Sequence, residues 1–202
     1  PVVLSVAGTA RTGGSGRQAA VLTWSSMGCH AVSVVTAVTI QDTRGVEDML
    51  PSDAEWVADQ ARCVLEDVPV AVFKIGLLGS VEAVAAIAEV VSDYPDIPLV
   101  LDPILASGRG YDLASEDVIS AMRELLIPQT TLITPNSLEV SRLAQDDDCE
   151  EDDNPAPGEC ARRILELGGQ YVRMTGQQEN TQQGVSTTHH PQEMLTHATG
   201  PR

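Results

Sequence analysis

The sequence predicts an α/β protein: a mainly parallel sheet covered by helices on both faces. Three observations carry this. Short β-branched runs alternate with helical segments almost without exception, two segments open on capping-box patterns, and the polar residues fall just after the apolar runs. The first element is the apolar run Val2-Val3-Leu4-Ser5-Val6-Ala7, which breaks into a glycine-rich turn over 8–16 and a helix from Gly16 to Met27. Ala31 to Val38 reads as a β-branched strand buried on both faces. Ser52-Asp53-Ala54-Glu55 has the form of a capping box opening a helix to about Glu66. Ala71 to Ile75 is the next strand, Ser80 caps a helix to about Asp93, and Pro98 to Asp102 is strand again. Ser115 to Leu126 is helical, Thr130 to Thr134 a strand, and Asn136-Ser137-Leu138-Glu139 the second capping box. A helix from about Pro157 to Leu167 and a strand from Gln170 to Thr175 follow. Gly184 to Thr188 and Met194 to His197 are expected to pair as an antiparallel hairpin around His189-His190-Pro191.

At 202 residues and 43% hydrophobic content, the chain is long enough to bury one full core, so a single domain over 1–202 is expected. No apolar run reaches 18 residues, and Pro1 to Ala7 is too short and uncharged for a signal peptide; a soluble, cytoplasmic protein is expected. Cys29, Cys63, Cys149 and Cys160 lack C-x-x-C spacing, which leaves free, mostly buried thiols. The formal charge of -17 makes nucleic acid and anionic membranes poor partners. There is one lysine, Lys74, beside eleven arginines; this scarcity would also suit a high-salt cytoplasm. Residues 145–158, with Asp146-Asp147-Asp148 and Glu150-Glu151-Asp152-Asp153, read as a solvated acidic loop, since the ligand alternation and central glycine of a calcium loop are missing.

Ligands of open parallel sheets bind beyond the carboxyl ends of the strands. Those ends carry Gly8-Thr9, Gln41-Asp42-Thr43, Gly76, Asp102, Thr134 to Asn136 and Thr175-Gly176, so one edge collects nearly every candidate site residue. Each also has a plain reading as a turn or cap residue, and the glycine-rich turn reads equally as a phosphate cradle or a tight βα turn. It fits neither G-x-G-x-x-G nor G-x-x-x-x-G-K-[ST]. His30 is expected in a turn, and none of the four histidines has a partner at metal-ligand spacing. A G-x-S-x-G elbow is lacking, so hydrolase chemistry has no nucleophile.

The chain resembles the hydroxymethylpyrimidine/phosphomethylpyrimidine kinases of thiamine biosynthesis, members of the ribokinase-like fold. The match runs through Ala7-Gly8-Thr9 with Gly13-Gly14-Ser15-Gly16, Val34-Val35-Thr36-Ala37 with Gln41-Asp42-Thr43-Arg44-Gly45-Val46, Lys74-Ile75-Gly76-Leu77-Leu78-Gly79, Val100-Leu101-Asp102-Pro103, and Leu132-Ile133-Thr134-Pro135-Asn136 with Glu139. The resemblance implies a three-layer sandwich and transfer of a phosphoryl group from ATP to an aminopyrimidine hydroxymethyl group, then a second to the monophosphate. It implies substrate contacts at Gly8, Gln41 and Gly76, and nucleotide contacts at Asn136, Thr175 and Gly176. Magnesium is implied at Asn136 and Glu139, with Asp102 and Thr134 in the neighbouring cation region. A homodimer is also implied.

Three departures accompany the match. The family motif Gly-x-Gly-Cys, which supplies the base and anion hole, does not occur in these residues, so no catalytic residue is assigned and the chain is expected to lack the C-terminal helices. Ala10 and Ala20 stand where the family usually has aspartate, and Arg17 replaces an apolar residue, adding bulk and charge near the pocket. Two other readings stand beside the kinase: a non-catalytic pyrimidine-binding relative, and a pyridoxal kinase-like enzyme.

Overall fold

The computed structural model describes residues 1–9, 16–42, 45–107, 111–145, 155–177, 183–191 and 193–201. The acidic residues 146–154, the turn over 10–15 with Ala10, and Thr43-Arg44 lie outside them. The strands are β1 (Val2–Thr9), β2 (His30–Gln41), β3 (Val46–Pro51), β4 (Val70–Ile75), β5 (Leu99–Leu101), β6 (Leu132–Ile133), β7 (Tyr171–Gln177), β8 (Gln183–His190) and β9 (Glu193–Pro201). The helices are α1 (Gly16–Ser26), α2 (Ala54–Asp67), α3 (Val81–Ser92), α4 (Glu116–Ala121), α5 (Ser137–Ala144) and α6 (Pro157–Glu166). A π turn, Met122–Leu126, continues α4 and passes into a 3-10 turn, Ile127–Gln129, where Pro128 prevents further α-helix.

Among the described residues the nine strands form one sheet in the order β3-β2-β1-β4-β5-β6-β7-β8-β9. The run β2-β1-β4-β5-β6-β7 is parallel, while β3 at one edge and the β8–β9 hairpin at the other pair antiparallel. Strand order reverses at β1, which has β2 on one side and β4 on the other.

Alternation along the strands separates two faces. Leu4, Val6, Phe73, Ile75, Leu99, Leu101, Ile133, Val172 and Met174 point into the main core, where α2 to α6 bury Ala61, Ile87, Val118, Val140 and Ile164. The opposite face is packed by α1 over β1 and β2. Along β4 to β7 that face is more open: Val72, Val100 and Leu132 are half-buried and Tyr171 is exposed.

The structure differs from the sequence reading in several places. β3 was not expected, because Val46-Glu47-Asp48-Met49-Leu50-Pro51 has no clean alternation and ends in proline; it is an edge strand held by its register with β2. β2 is longer than expected and is not buried on both faces, since Val38 is 41% and Ile40 58% exposed where it runs beyond the main core with β3. The cap of α2 is Asp53, whose carboxylate accepts from the Glu55 and Trp56 amides at 3.0 and 3.2 Å. Ser52 is instead tied to the sheet, its amide donating to the Thr36 carbonyl at 2.8 Å. His30 opens β2 rather than occupying a turn. Cys160 is buried, but Cys29 is half-buried and Cys63 exposed. The Ser80 cap, the Asn136–Glu139 capping box and the terminal hairpin match the reading.

Because Asp53 and not Ser52 closes the first turn of α2, Asp53→Ala is expected to cost about 1 kcal/mol in urea unfolding. Ser52→Ala is expected to cost only a few tenths.

Candidate active site

The parallel hydrogen-bond ladder continues past the strand ends and sets the site residues in a row. Gly76 donates its amide to the Val6 carbonyl at 2.8 Å, Asp102 to Ile75 at 2.8 Å, Thr134 to Leu101 at 2.9 Å, and Thr175 to Pro135 at 2.9 Å. Thr175 also forms an isolated parallel bridge with Asn136. Two threonines fasten the substrate end. The Thr36 hydroxyl donates to the Leu77 carbonyl, and the Thr39 hydroxyl to the Thr9 carbonyl.

A cleft of about 440 Å³ opens at the carboxyl ends of β1 and β4, the point where strand order reverses. Its polar lining includes Gly8, Thr9, Thr39, Gln41, Lys74 and Asp102. Its apolar wall comes from Val46, Leu77, Ile104 and Leu113. β3 therefore contributes to the site, because its Val46 pairs with Gln41. Gly8 lets the backbone face the cleft directly, since a Cβ there would stand 3.0 Å from Leu77 Cδ2.

The floor of the cleft carries an ion pair that sequence reasoning left unassigned. Lys74 Nζ donates to Asp102 Oδ2 at 2.8 Å. Neither neighbour in the chain signals this; Lys74 is in β4 and Asp102 just beyond β5, 28 residues on, and only the pairing of those strands joins them. Gly76 is beside the ammonium, where a Cβ would be 3.3 Å from Nζ. Pro103 restricts Asp102 to extended backbone, so the carboxylate leaves the sheet at its end.

Asn136 and Glu139 form the capping box of α5. Asn136 Oδ1 accepts from the Leu138 and Glu139 amides, each at 2.9 Å, and Glu139 Oε2 accepts from the Asn136 amide at 2.8 Å. Glu139 is buried, which raises its pKa above the usual 4.5, and the nearby Asp102 charge raises it further. Hydrogen bonds from the Asn136 and Leu105 backbone act in the opposite direction. Thr134 is half-buried and its hydroxyl lies 3.4 Å from the Leu101 carbonyl.

The structure thus brings Gly8, Gln41 and Asp102 to one cleft, puts Gly76 next to it, and places Thr134, Asn136, Glu139, Thr175 and Gly176 along the same edge. Arg17 does not line the cleft: its guanidinium reaches the sheet, donating to Ser33 Oγ at 3.2 Å. Ala20 is half-buried on α1 and also lies outside the lining. Among the described residues no group of three or more His, Cys, Asp or Glu side chains converges as a metal centre. No helix among them is long and apolar enough to cross a membrane.

The switch-point crevice beside an antiparallel edge ribbon, on a mainly parallel sheet, agrees with the ribokinase-like class of α/β proteins. Solved structures agree: phosphomethylpyrimidine kinase from Clostridium difficile superposes with a TM-score of 0.83 at 30% identity, over 96% of this chain and 83% of that one. Pyridoxal kinase from Bacillus subtilis gives 0.83 at 24% identity, over 100% and 75%, a likeness of fold alone. A family model described as phosphomethylpyrimidine kinase matches residues 11–202. The chain belongs to the phosphomethylpyrimidine kinase family. It is 38% identical to the hydroxymethylpyrimidine/phosphomethylpyrimidine kinase of Escherichia coli over 69% of this chain and 53% of that protein. Against the Mycobacterium tuberculosis enzyme of the same name it is 38% identical, over 87% and 63%. The chain spans 35% of a bifunctional thiamine biosynthesis protein from Geobacter sulfurreducens, so it covers about a third to two thirds of the curated relatives it matches.

The raised pKa of Glu139 fixes the sign of a pH effect. A carboxyl whose folded pKa is raised stabilises the fold most below its unfolded value and loses that contribution as pH rises through the folded one. Glu139→Gln, which keeps an acceptor for the Asn136 amide, is therefore expected to gain stability relative to the parent as pH rises from below 4.5 to neutral. Denaturant unfolding across that range measures it; a difference independent of pH would contradict the burial argument.

Proposed function

We propose that this chain carries the substrate cleft and cation edge of a kinase that phosphorylates 4-amino-5-hydroxymethyl-2-methylpyrimidine and then its monophosphate in thiamine biosynthesis. The observation that supports this best is the cleft itself, where Gln41 and the bare backbone of Gly8 face one apolar wall at the switch point. An aminopyrimidine edge both donates and accepts, and the Gln41 amide matches it on both counts. The apolar wall of Val46, Leu77 and Leu113 suits the ring and its methyl group. Gly76 has no Cβ to press on the Lys74 ammonium, from which one would stand 3.3 Å.

The remaining assignments follow the same strand-end row. Thr175 and Gly176 would contact the nucleotide phosphates, with Asn136 beside them. Bound Mg-ATP supplies the phosphoryl group and offsets the charge that develops in transfer. The residues present fit a magnesium ion: Asp102 and Glu139 are close enough to repel, and one Glu139 oxygen is committed to the capping box. Two such carboxylates, with Thr134 and Asn136 adjacent, suit an ion that keeps most of its water. Capping holds Glu139 in one rotamer, so the carboxylate is presented without further ordering.

The same reading places the protein in the cytoplasm as one domain and as a homodimer. The dimer draws support from the outer face of the edge ribbon, where Val38 and Leu50 pair across β2 and β3 and are both exposed, with Ile40 two residues along.

Calorimetry with hydroxymethylpyrimidine tests the cleft, and phosphate transfer from Mg-ATP tests the chemistry. Gln41→Ala is expected to weaken pyrimidine binding about tenfold or more, because a ring edge desolvated in the cleft loses its partner, with the melting temperature unchanged. Binding indifferent to Gln41, or turnover of pyridoxal in place of the pyrimidine, would overturn the reading. Binding without turnover would select a non-catalytic relative.

A further inference from the structure

Lys74 is the only cationic side chain lining the cleft among the described residues, in a chain whose formal charge is -17. Its pair with Asp102 is not sealed in the core. The two side chains keep 22% and 34% of their surface exposed, and both face the cleft. An ammonium group has three donors, and Asp102 engages one of them. The position next to it is Gly76, where a Cβ would stand 3.3 Å from the ammonium, so glycine leaves the group uncrowded there.

We propose that Lys74 is the specificity-determining residue that admits the phosphorylated form of the substrate. This rests on the reading that the cleft takes hydroxymethylpyrimidine and its monophosphate. The two ligands share a ring but differ in charge. The hydroxymethyl compound is neutral, and the Gln41 amide with the apolar wall meets its needs. The monophosphate brings a dianionic group into a strongly acidic protein, next to Asp102. One hydrogen-bonded cation in a partly desolvated cleft offsets that repulsion. Lysine suits the task better than arginine would, because a compact charge on a flexible stem can move between Asp102 and a phosphate ester.

Calorimetry on the full chain, with each compound titrated separately, tests the assignment. Lys74→Met is expected to weaken monophosphate binding about tenfold or more while leaving the hydroxymethyl compound within about twofold. Lys74→Arg, which keeps the charge, should bind the monophosphate within a few-fold of the parent. Equal losses for both compounds in Lys74→Met, or no loss for either, would overturn the proposal. Should Lys74→Met fail to fold, Asp102→Asn decides: freed of its counter-ion, Lys74 should hold the monophosphate at least as tightly as in the parent, and weaker binding would overturn the assignment. A parent chain that binds neither compound defeats the functional reading and this proposal together. A parent that binds both, with no selective loss in the variants, defeats this proposal alone.

Discussion

The site depends on the register of the parallel strands. Each strand end is held one residue further by an amide donating sideways, from Gly76 to Val6, Asp102 to Ile75 and Thr134 to Leu101. Three strands, β4, β5 and β6, thereby stop in step, and residues scattered over more than a hundred positions of sequence share one edge. The side chains on that edge inherit their spacing from the sheet and need no loop to gather them. A one-residue slip in any strand would turn its site residue to the other face, so the buried partners Leu4, Ile75, Leu101 and Ile133 hold the functional geometry by holding the register.

Much of this was legible because the parallel strands are short β-branched runs between capped helices, a pattern with few other solutions. Val2 to Ala7, Ala71 to Ile75 and the Asn136–Glu139 box needed only local chemistry. β3 was not legible, because its residues are mostly exposed and its strand character comes from β2 alongside it. Ser52 forms no capping box with Glu55 for a related reason: the amide such a box would use is already paired with the Thr36 carbonyl of the sheet. In the site, Gly8, Gln41 and Asp102 could be found because each sits at or just beyond the carboxyl end of a strand. Lys74 lies within β4 and finds its partner only just beyond the next strand, which no local pattern reveals. Arg17 shows the converse: its place in the helix start suggested the pocket, but the geometry sends its guanidinium to Ser33.

Asn136 and Glu139 carry a structural duty at the very edge where the candidate site lies. The capping box uses Asn136 Oδ1 and one Glu139 oxygen to satisfy the first amides of α5, which fixes both side chains at the strand-end edge. Burial next to Asp102 makes the Glu139 charge costly, and that cost is local to the place where a cation would remove it. A carboxylate held this way cannot swing aside to find a better partner. The cap thus keeps a costly carboxylate in place at the strand-end edge.

The scarcity of lysine has an experimental consequence. Across these 202 residues there is a single ε-amino group, and it stands on the floor of the cleft. An amine-directed acylating reagent therefore has one lysine to find, and that lysine lines the cleft. A ligand that covers this lysine would slow its modification, with no probe added to the chain and no other ε-amine to subtract.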